Sequence, residues 1–540
     1  MKLSTYIVEF LAKRGVTHVF GYAGGTITHI LDSISARRDI FYVSTYHEQG
    51  AAFAAEGYAR IKNDIGVAIA TSGPGATNLI TGIGNAYFDS IPCLYITGQV
   101  NTYEYKGDLK VRQKGFQELE IVKIVKPITK YATRITDPNR IQYELQKALD
   151  IATSGRKGPV LLDIPMNIQR AEIDHRRIER YKKISSNPQK NPLSDNLRKK
   201  IIRMLNNCER PVVLVGGGVR LANATKQLKE FLEKTKIPFV SSLMGLDACD
   251  RDLQNYCGMM GAYGNRCSNF TIANSDLIIS LGSRLPARQT GTKIEHFARA
   301  AKIIRVEIDE NELKNKIKKD EVAVNADIGE FLEEIKSAVD SIKMKDLSFW
   351  LEKVKIYKTK YFSLYSKSNM DPNRIMHTIS EYCLQGDIIC LDVGQNQMWA
   401  AQSFNLKKDQ RILTTGGMAA MGFSLPAAIG AYYASPKSRI ISFSGDGGIQ
   451  INIQELQVLK RNKIPIKVII LNNHSLGMIS HFQKMYFNGI CEGSIKGYSE
   501  PDFCKIAKAY GLDAVSINSF EEIGKIKKHL KSKKSLIIEI

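Results

Sequence analysis

Two short motifs in the last quarter of the chain hold residue types that bind a metal ion and a phosphate. The apolar run IISFSG ends in Gly445-Asp446-Gly447-Gly448, and a second run, IKVIIL, ends in Asn472-Asn473. Asp446 and Asn473 lie about 27 residues apart, which suits one βαβ crossover. Both would then leave the carboxyl edge of neighbouring parallel strands, where ligands bind in open α/β sheets. One carboxylate, one amide oxygen and a nearby backbone carbonyl, placed at Ser475, suit Mg²⁺, which takes few protein oxygens and draws the rest from phosphate and water. Gly445, Gly447 and Gly448 let the backbone approach a diphosphate, and the helix that follows offers N–H groups and the positive end of its dipole. GDG and NN taken singly are common turns. Their order, each after a buried run, carries the reading.

The elements needed to hold these residues are legible. Short, β-branched apolar runs alternate with helical patterns: Gly66–Ala70, Cys93–Thr97, Val160–Ile164, Val212–Val215, Leu277–Leu281, Ile303–Ile308, Ile388–Val393, Ile440–Phe443 and Val468–Leu471. This is the signature of α/β folds with parallel sheets buried on both faces. The N-terminus reads as an amphipathic helix, with Tyr6, Phe10 and Leu11 on one face, running into a strand. Two polar segments, Gln169–Ser194 and Ala338–Asn373, read as linkers, the second partly helical. They divide the 540 residues into three domains of about 1–170, 190–337 and 360–540.

Composition excludes several classes. No run reaches the roughly 18 apolar residues of a membrane span, and the N-terminus is not a signal peptide, so the expected location is cytoplasmic. Net charge is +22, from 76 basic and 54 acidic residues. It is spread along the chain without a nucleic-acid-binding signature, so no nucleic-acid partner is expected. The nine cysteines are odd in number and form no CxxC, which argues against a disulfide framework or a zinc site.

The GDG and NN pair resembles the thiamine-diphosphate enzyme motif, and the resemblance extends over nearly the whole chain. The pattern is similar to that of the large, catalytic subunit of acetolactate synthase (acetohydroxyacid synthase). It is carried by GYAGGTITHILDSI, YHEQGAAFAAEGYAR, TSGPGATNLITGI, GRKGPVLLDIPMNIQ, DVGQNQMWAAQ, TTGGMAAMGFSLPAAIGA and LNNHSLGMISHFQ. It implies three doubly wound α/β domains: one binding the pyrimidine of the cofactor, a central flavin-type domain, and one binding the diphosphate. Glu48 resembles the glutamate that ends a strand of the first domain and shares a proton with the pyrimidine. His47 beside it carries only a neighbour's claim. Pro74, Gly75 and Asn78 resemble the stretch contacting the pyrimidine, and Gly24 and Gly25 a loop near the reacting carbon. Gly394, Gln395 and Asn396 resemble a diphosphate-contacting run, with Asn396 where the family usually has His. Met421 resembles the large residue that bends the cofactor.

In the central domain the resemblance implies a candidate FAD site. It comprises Gly216, Gly217 and Gly218, then Ser242, Leu243 and Met244, then Gly282, Arg284 and Arg288, with Glu307 and Asp327. Pro286 stands where the family usually has Asp. The implied reaction is decarboxylation of a 2-keto acid, pyruvate, and ligation of its two-carbon unit to a second carbonyl compound. Gln117 and Phe116 resemble substrate-facing residues, and Met478, Ile479 and Phe482 the acceptor side, with Phe482 where acetolactate synthases typically have Trp. Lys106, Lys110, Arg112 and Lys114 are candidates to meet a larger anionic acceptor, such as a nucleotide-linked keto sugar. A non-ligating decarboxylase or oxidase is the remaining alternative. The sequence stops at SLIIEI, without the tail that often covers the site in the family. Because Glu48 and the phosphate-binding edge come from different subunits in the family, a homodimer or homotetramer with its site at the interface is implied. A regulatory subunit is left open.

Overall fold

The structure, a computed structural model, describes residues 1–540 apart from 175, 177–178, 183–192, 250, 339–341 and 362–369. The SSNPQKNP run of the first expected linker and two pieces of the second therefore lie outside the described residues.

Three six-stranded sheets follow one another along the chain, each wholly parallel. The first comprises β1 (His18–Gly21), β2 (Phe41–Ser44), β3 (Gly66–Ala70), β4 (Cys93–Gln99), β5 (Tyr131–Arg134) and β6 (Val160–Pro165), in the order β2-β1-β3-β4-β6-β5. The second comprises β7 (Pro211–Val215), β8 (Phe239–Ser241), β9 (Tyr256–Met259), β10 (Leu277–Leu281), β11 (Lys302–Glu307) and β12 (Val322–Asn325), in the order β12-β11-β10-β7-β8-β9. The third comprises β13 (Ile388–Leu391), β14 (Arg411–Leu413), β15 (Ile440–Gly445), β16 (Lys467–Leu471), β17 (Asp513–Ser516) and β18 (Leu536–Glu539), in the order β14-β13-β15-β16-β18-β17. The expected α/β class with doubly wound parallel sheets is what the chain adopts, and the expected apolar runs form the inner strands.

Two details differ from the sequence reading. The first helix, Leu3–Lys13, buries Leu3, Ile7, Val8 and Leu11, while Tyr6 and Phe10 flank that face. The helix Ser348–Tyr361 is not a free connector. Its Trp350 is fully buried and donates from Nε1 to the Pro211 carbonyl at 3.0 Å, which docks the helix on the central sheet.

The first and third domains share one core, in which the helix Glu48–Lys62 packs against the helix Ser424–Ala434. The approach is backbone to backbone. A Cβ at Gly57 would lie 2.2 Å from the Ala427 carbonyl oxygen, and one at Gly430 would lie 1.8 Å from that of Ala54. No side chain fits either position unless the helices part. Gly430→Ala should therefore cost about 1–3 kcal/mol of stability or more, read as a lower midpoint of thermal unfolding.

Candidate active site

The third sheet positions the residues expected to hold a metal ion and a phosphate. β15 and β16 are parallel neighbours with Gly445 paired to Leu471, so Asp446 and Asn473 leave adjacent strands at one carboxyl edge. Asp446 is buried and opens the helix Asp446–Ile451. Its Oδ2 accepts from the Ser475 N–H at 3.1 Å and from the Tyr498 hydroxyl at 3.0 Å. Asn473 donates to Gln395 Oε1 at 2.8 Å, and its Oδ1 accepts from the Ser475 N–H at 3.3 Å. Asp446, Asn473, Ser475 and Gln395 thus form one oxygen-rich cluster. Burial raises the Asp446 carboxyl, and a divalent cation would offset that cost.

Beside the cluster lies a cradle. Gly394 has φ 145°, a conformation that favours glycine, and it starts the helix Gln395–Ser403. Asn396 in its first turn is buried, and neither its Oδ1 nor its Nδ2 has a hydrogen-bond partner. The two atoms lie 3.5 Å from where a Cβ on Gly394 would sit and 3.9 Å from one on Gly445. A buried amide left unsatisfied costs about 1–3 kcal/mol. An anionic oxygen seated between these glycines would accept from it. A Cβ on Gly447 would meet Leu476 at 2.5 Å and the Met421 methyl at 3.4 Å, which places Met421 at the same edge. Gly448 answers to a different neighbour, since its Cβ would lie 2.7 Å from Asp392 Oδ1. Asp392 accepts from the N–H groups of Val393, Gly422 and Ser424 at 2.9 Å each, and so fixes the loop carrying Met421. The sequence reading missed Asp392 and Tyr498. Asp392 opens the DVGQNQMWAAQ motif but was not singled out within it, and nothing in its local spacing marks Tyr498.

The first domain gathers a second cluster. Glu48 does not end a strand as expected. β2 stops at Ser44, and Glu48 is the first residue of the helix Glu48–Lys62. His47 caps that helix, its Nδ1 accepting from the Gln49 N–H at 3.1 Å. Glu48 is buried, and its Oε2 accepts from Asn78 Nδ2 at 2.9 Å. Its Oε1 faces Gly75, where an added Cβ would lie 2.9 Å away. Pro74 opens the helix Pro74–Asn78. Gln117 packs against Gly73 with φ 62°, a strained backbone for a residue with a side chain. Gly24 packs on Thr71, with 2.4 Å from its would-be Cβ, while Gly25 faces open space. Phe116, next in the chain to Gln117, is 84% exposed. No hydrogen bond among the described residues joins the two clusters directly; Asn452 Nδ2 of the third domain donates to Gln49 Oε1, beside Glu48, at 3.3 Å.

On the acceptor side, Met478 and Phe482 lie on the helix Gly477–Tyr486. Ile479 and Phe482 are exposed, and Met478 is half-buried. Two of the four basic residues expected to face an acceptor are used inside their own loop. Lys106 Nζ donates to the Val111 and Arg112 carbonyls, and Lys114 Nζ to that of Tyr103. Lys110 and Arg112 are exposed.

A cleft of about 1640 Å³ opens over the central sheet, ample for a dinucleotide. Gly217, Gly218, Ser242, Leu243 and Met244 form part of its wall, and Gly282, Arg284, Arg288, Glu307 and Asp327 another part. Gly216 instead packs on Gly282, 2.0 Å from its carbonyl oxygen to a would-be Cβ. Glu307 is buried, which raises its carboxyl, and its Oε1 accepts from the Ile308 N–H at 2.9 Å. Residues of the other two domains, including Arg156 and Met418, complete the cleft. None of the nine cysteines is in a disulfide, and no described helix is long and apolar enough to cross a membrane.

Comparison with known proteins agrees with this geometry. Residues 1–124 match the N-terminal TPP binding domain of thiamine pyrophosphate enzymes, residues 198–335 their central domain, and residues 392–540 their C-terminal TPP binding domain. The protein is a thiamine-diphosphate-dependent enzyme. The probable acetolactate synthase large subunit of Methanocaldococcus jannaschii is 36% identical, over 100% of this chain and 92% of its own length. The acetolactate synthase large subunit of Lactococcus lactis is 35% identical, over 99% and 92%. The acetolactate synthase isozyme 2 large subunit of Escherichia coli is 34% identical, over 97% and 92%. Within the thiamine pyrophosphate enzymes, the chain belongs to the acetolactate synthase large-subunit family.

Tyr498→Phe removes a hydrogen bond to the Asp446 carboxylate. It should weaken Mg²⁺-dependent thiamine diphosphate binding by about tenfold, measured by titrating Mg²⁺ against cofactor-induced quenching of protein fluorescence.

Proposed function

We propose that the enzyme decarboxylates pyruvate with thiamine diphosphate and Mg²⁺ and joins the two-carbon unit to a second 2-keto acid, as an acetolactate synthase does. The observation that carries this reading is Asn396: a buried amide without partners, between Gly394 and Gly445 and beside the Asp446–Asn473 cluster. That arrangement asks for a bound diphosphate and its cation. Asp446, Asn473 and the backbone at Ser475 would hold Mg²⁺. Asn396 and Gln395 would hold diphosphate oxygens, and Met421 would pack against the cofactor.

The cofactor supplies a carbon nucleophile and an electron sink for decarboxylation. The chain's own residues then have distinct tasks. Asn78 fixes Glu48 Oε2, which leaves Oε1, over Gly75, to share a proton with the pyrimidine. Gln117, in its strained turn, would orient the substrate, with Phe116, Met478 and Phe482 around the acceptor. Two copies of the chain would complete each site, Glu48 from one and Asp446 from the other. Support comes from exposed apolar side chains: Phe116, next in the chain to Gln117, and Phe482, Met485, Tyr486, Phe487 and Ile490 beyond Asn473. Patches of this kind mark interaction surfaces. The central cleft would hold FAD, with Arg284 and Arg288 toward its diphosphate and Glu307 toward a ribose.

Exposed Lys110 and Arg112, with Phe482 in place of a larger ring, favour one second reading, in which the acceptor is a bulkier anionic ketone such as a nucleotide-linked keto sugar. Purified protein incubated with pyruvate, thiamine diphosphate, Mg²⁺ and FAD should release CO₂ and form acetolactate in step. CO₂ without acetolactate would overturn the 2-keto acid acceptor and direct the assay to keto sugars. Glu48→Gln should leave thiamine diphosphate binding intact and lower turnover by about a hundredfold or more; turnover near that of the unmodified enzyme would remove Glu48 from its role.

A further inference from the structure

The turn that delivers Glu48 is gripped from the third domain at three points. Asn452 bonds Gln49. Arg461 reaches from the helix Leu456–Asn462 to the Ser44 carbonyl and, at 3.2 Å, to the Tyr46 hydroxyl. Between them lies Glu455, wholly buried. Its Oε1 accepts from the Tyr46 N–H at 3.0 Å, and the His47 N–H also bonds its carboxyl. A Cβ on Gly50 would lie 2.5 Å from that oxygen, so only glycine admits the carboxyl here. Oε2 has no partner. Tyr46 precedes the N-cap His47, so its N–H lies outside the helix, and a side chain from another domain accepts from it.

We propose that Glu455 is a positioning residue for Glu48: by accepting from the turn at Tyr46 and His47, it sets where the first helical residue points its carboxyl. The proposal rests on the reading of Glu48 as the carboxyl that shares the cofactor's proton. Glu455 itself is sealed from solvent and would act through Glu48. Burial raises its carboxyl to about 7, and Arg461 opposes that shift. A side chain of this kind contributes little net stability, so its retention of volume and its acceptor atom separate two effects. Methionine keeps the volume and loses the acceptor. Glutamine keeps both.

The test measures deuterium exchange at the thiazolium C2 of thiamine diphosphate by NMR, cofactor affinity by fluorescence, and thermal unfolding, all on the full-length enzyme with Mg²⁺. Glu455→Met should unfold at or above the midpoint of the unmodified enzyme and bind cofactor within about threefold, yet slow exchange by about tenfold or more, as expected for a displaced catalytic group. Glu455→Gln should exchange within about threefold of the unmodified enzyme, and Gly50→Ala should slow exchange as methionine does. Exchange at the unmodified rate in Glu455→Met would overturn the proposal, as would equal slowing in the glutamine variant. If the methionine variant fails to fold, Glu455→Gln and Gly50→Ala decide the matter on the same terms. Glu48→Gln run alongside should abolish exchange; full exchange there would instead overturn the reading of Glu48, and with it the proposal.

Discussion

The contact of the helices Glu48–Lys62 and Ser424–Ala434 through Gly57 and Gly430 governs the geometry of everything around it. Packed carbonyl against Cα, the two helices have no compressible side-chain layer between them and therefore little freedom to slide. One begins with Glu48. The other is preceded by the loop that holds Met421. The fixed crossing sets Glu48 and the Met421 loop in one frame, and the grip of Asn452, Glu455 and Arg461 on residues 44–50 refines it at the end where chemistry is expected.

A buried ionic network reinforces that frame. Arg60 donates to Glu56 at 2.5 Å and to Asp89 at 2.9 Å, Asn85 donates to Glu56 at 2.8 Å, and Thr415 donates to Asn85 at 2.5 Å. Asp89 in turn accepts from the Gly417 N–H at 2.8 Å. Loss of one partner in such a network typically costs about 3–5 kcal/mol, because a charge is left buried alone. The network ties the first domain to residues 415–417, and these precede both the wall of the central cleft at Met418 and Met421, which lies against Gly447.

Much of this was legible in the sequence. Inner strands such as β3, β10 and β16 are buried on both faces, so their apolar runs announce themselves. Outer strands such as β5, β12 and β17 are half-exposed and mixed in composition, and they carry no comparable signal. Asp446 and Asn473 were readable because each follows an inner strand within one crossover. Asp392, Tyr498 and Glu455 were not, because their partners lie far along the chain and only the fold brings them together. Glu48 was found by resemblance, yet its place at a helix start, after a cap by His47, came from the structure. Lys106 and Lys114 read as free cations, although their ammonium groups close their own loop.

The chain has only two tryptophans, and they sit in contrasting places. Trp350 is sealed in the central domain with its indole N–H bonded to Pro211. Trp399 is half-buried on the helix Gln395–Ser403, one turn beyond Asn396. The molecule thus contains its own pair of optical probes. One is shielded and reports the integrity of the middle domain, while the other lies one helical turn from the unpartnered amide of Asn396. Emission from the two together separates ligand arrival from loss of fold without any added label.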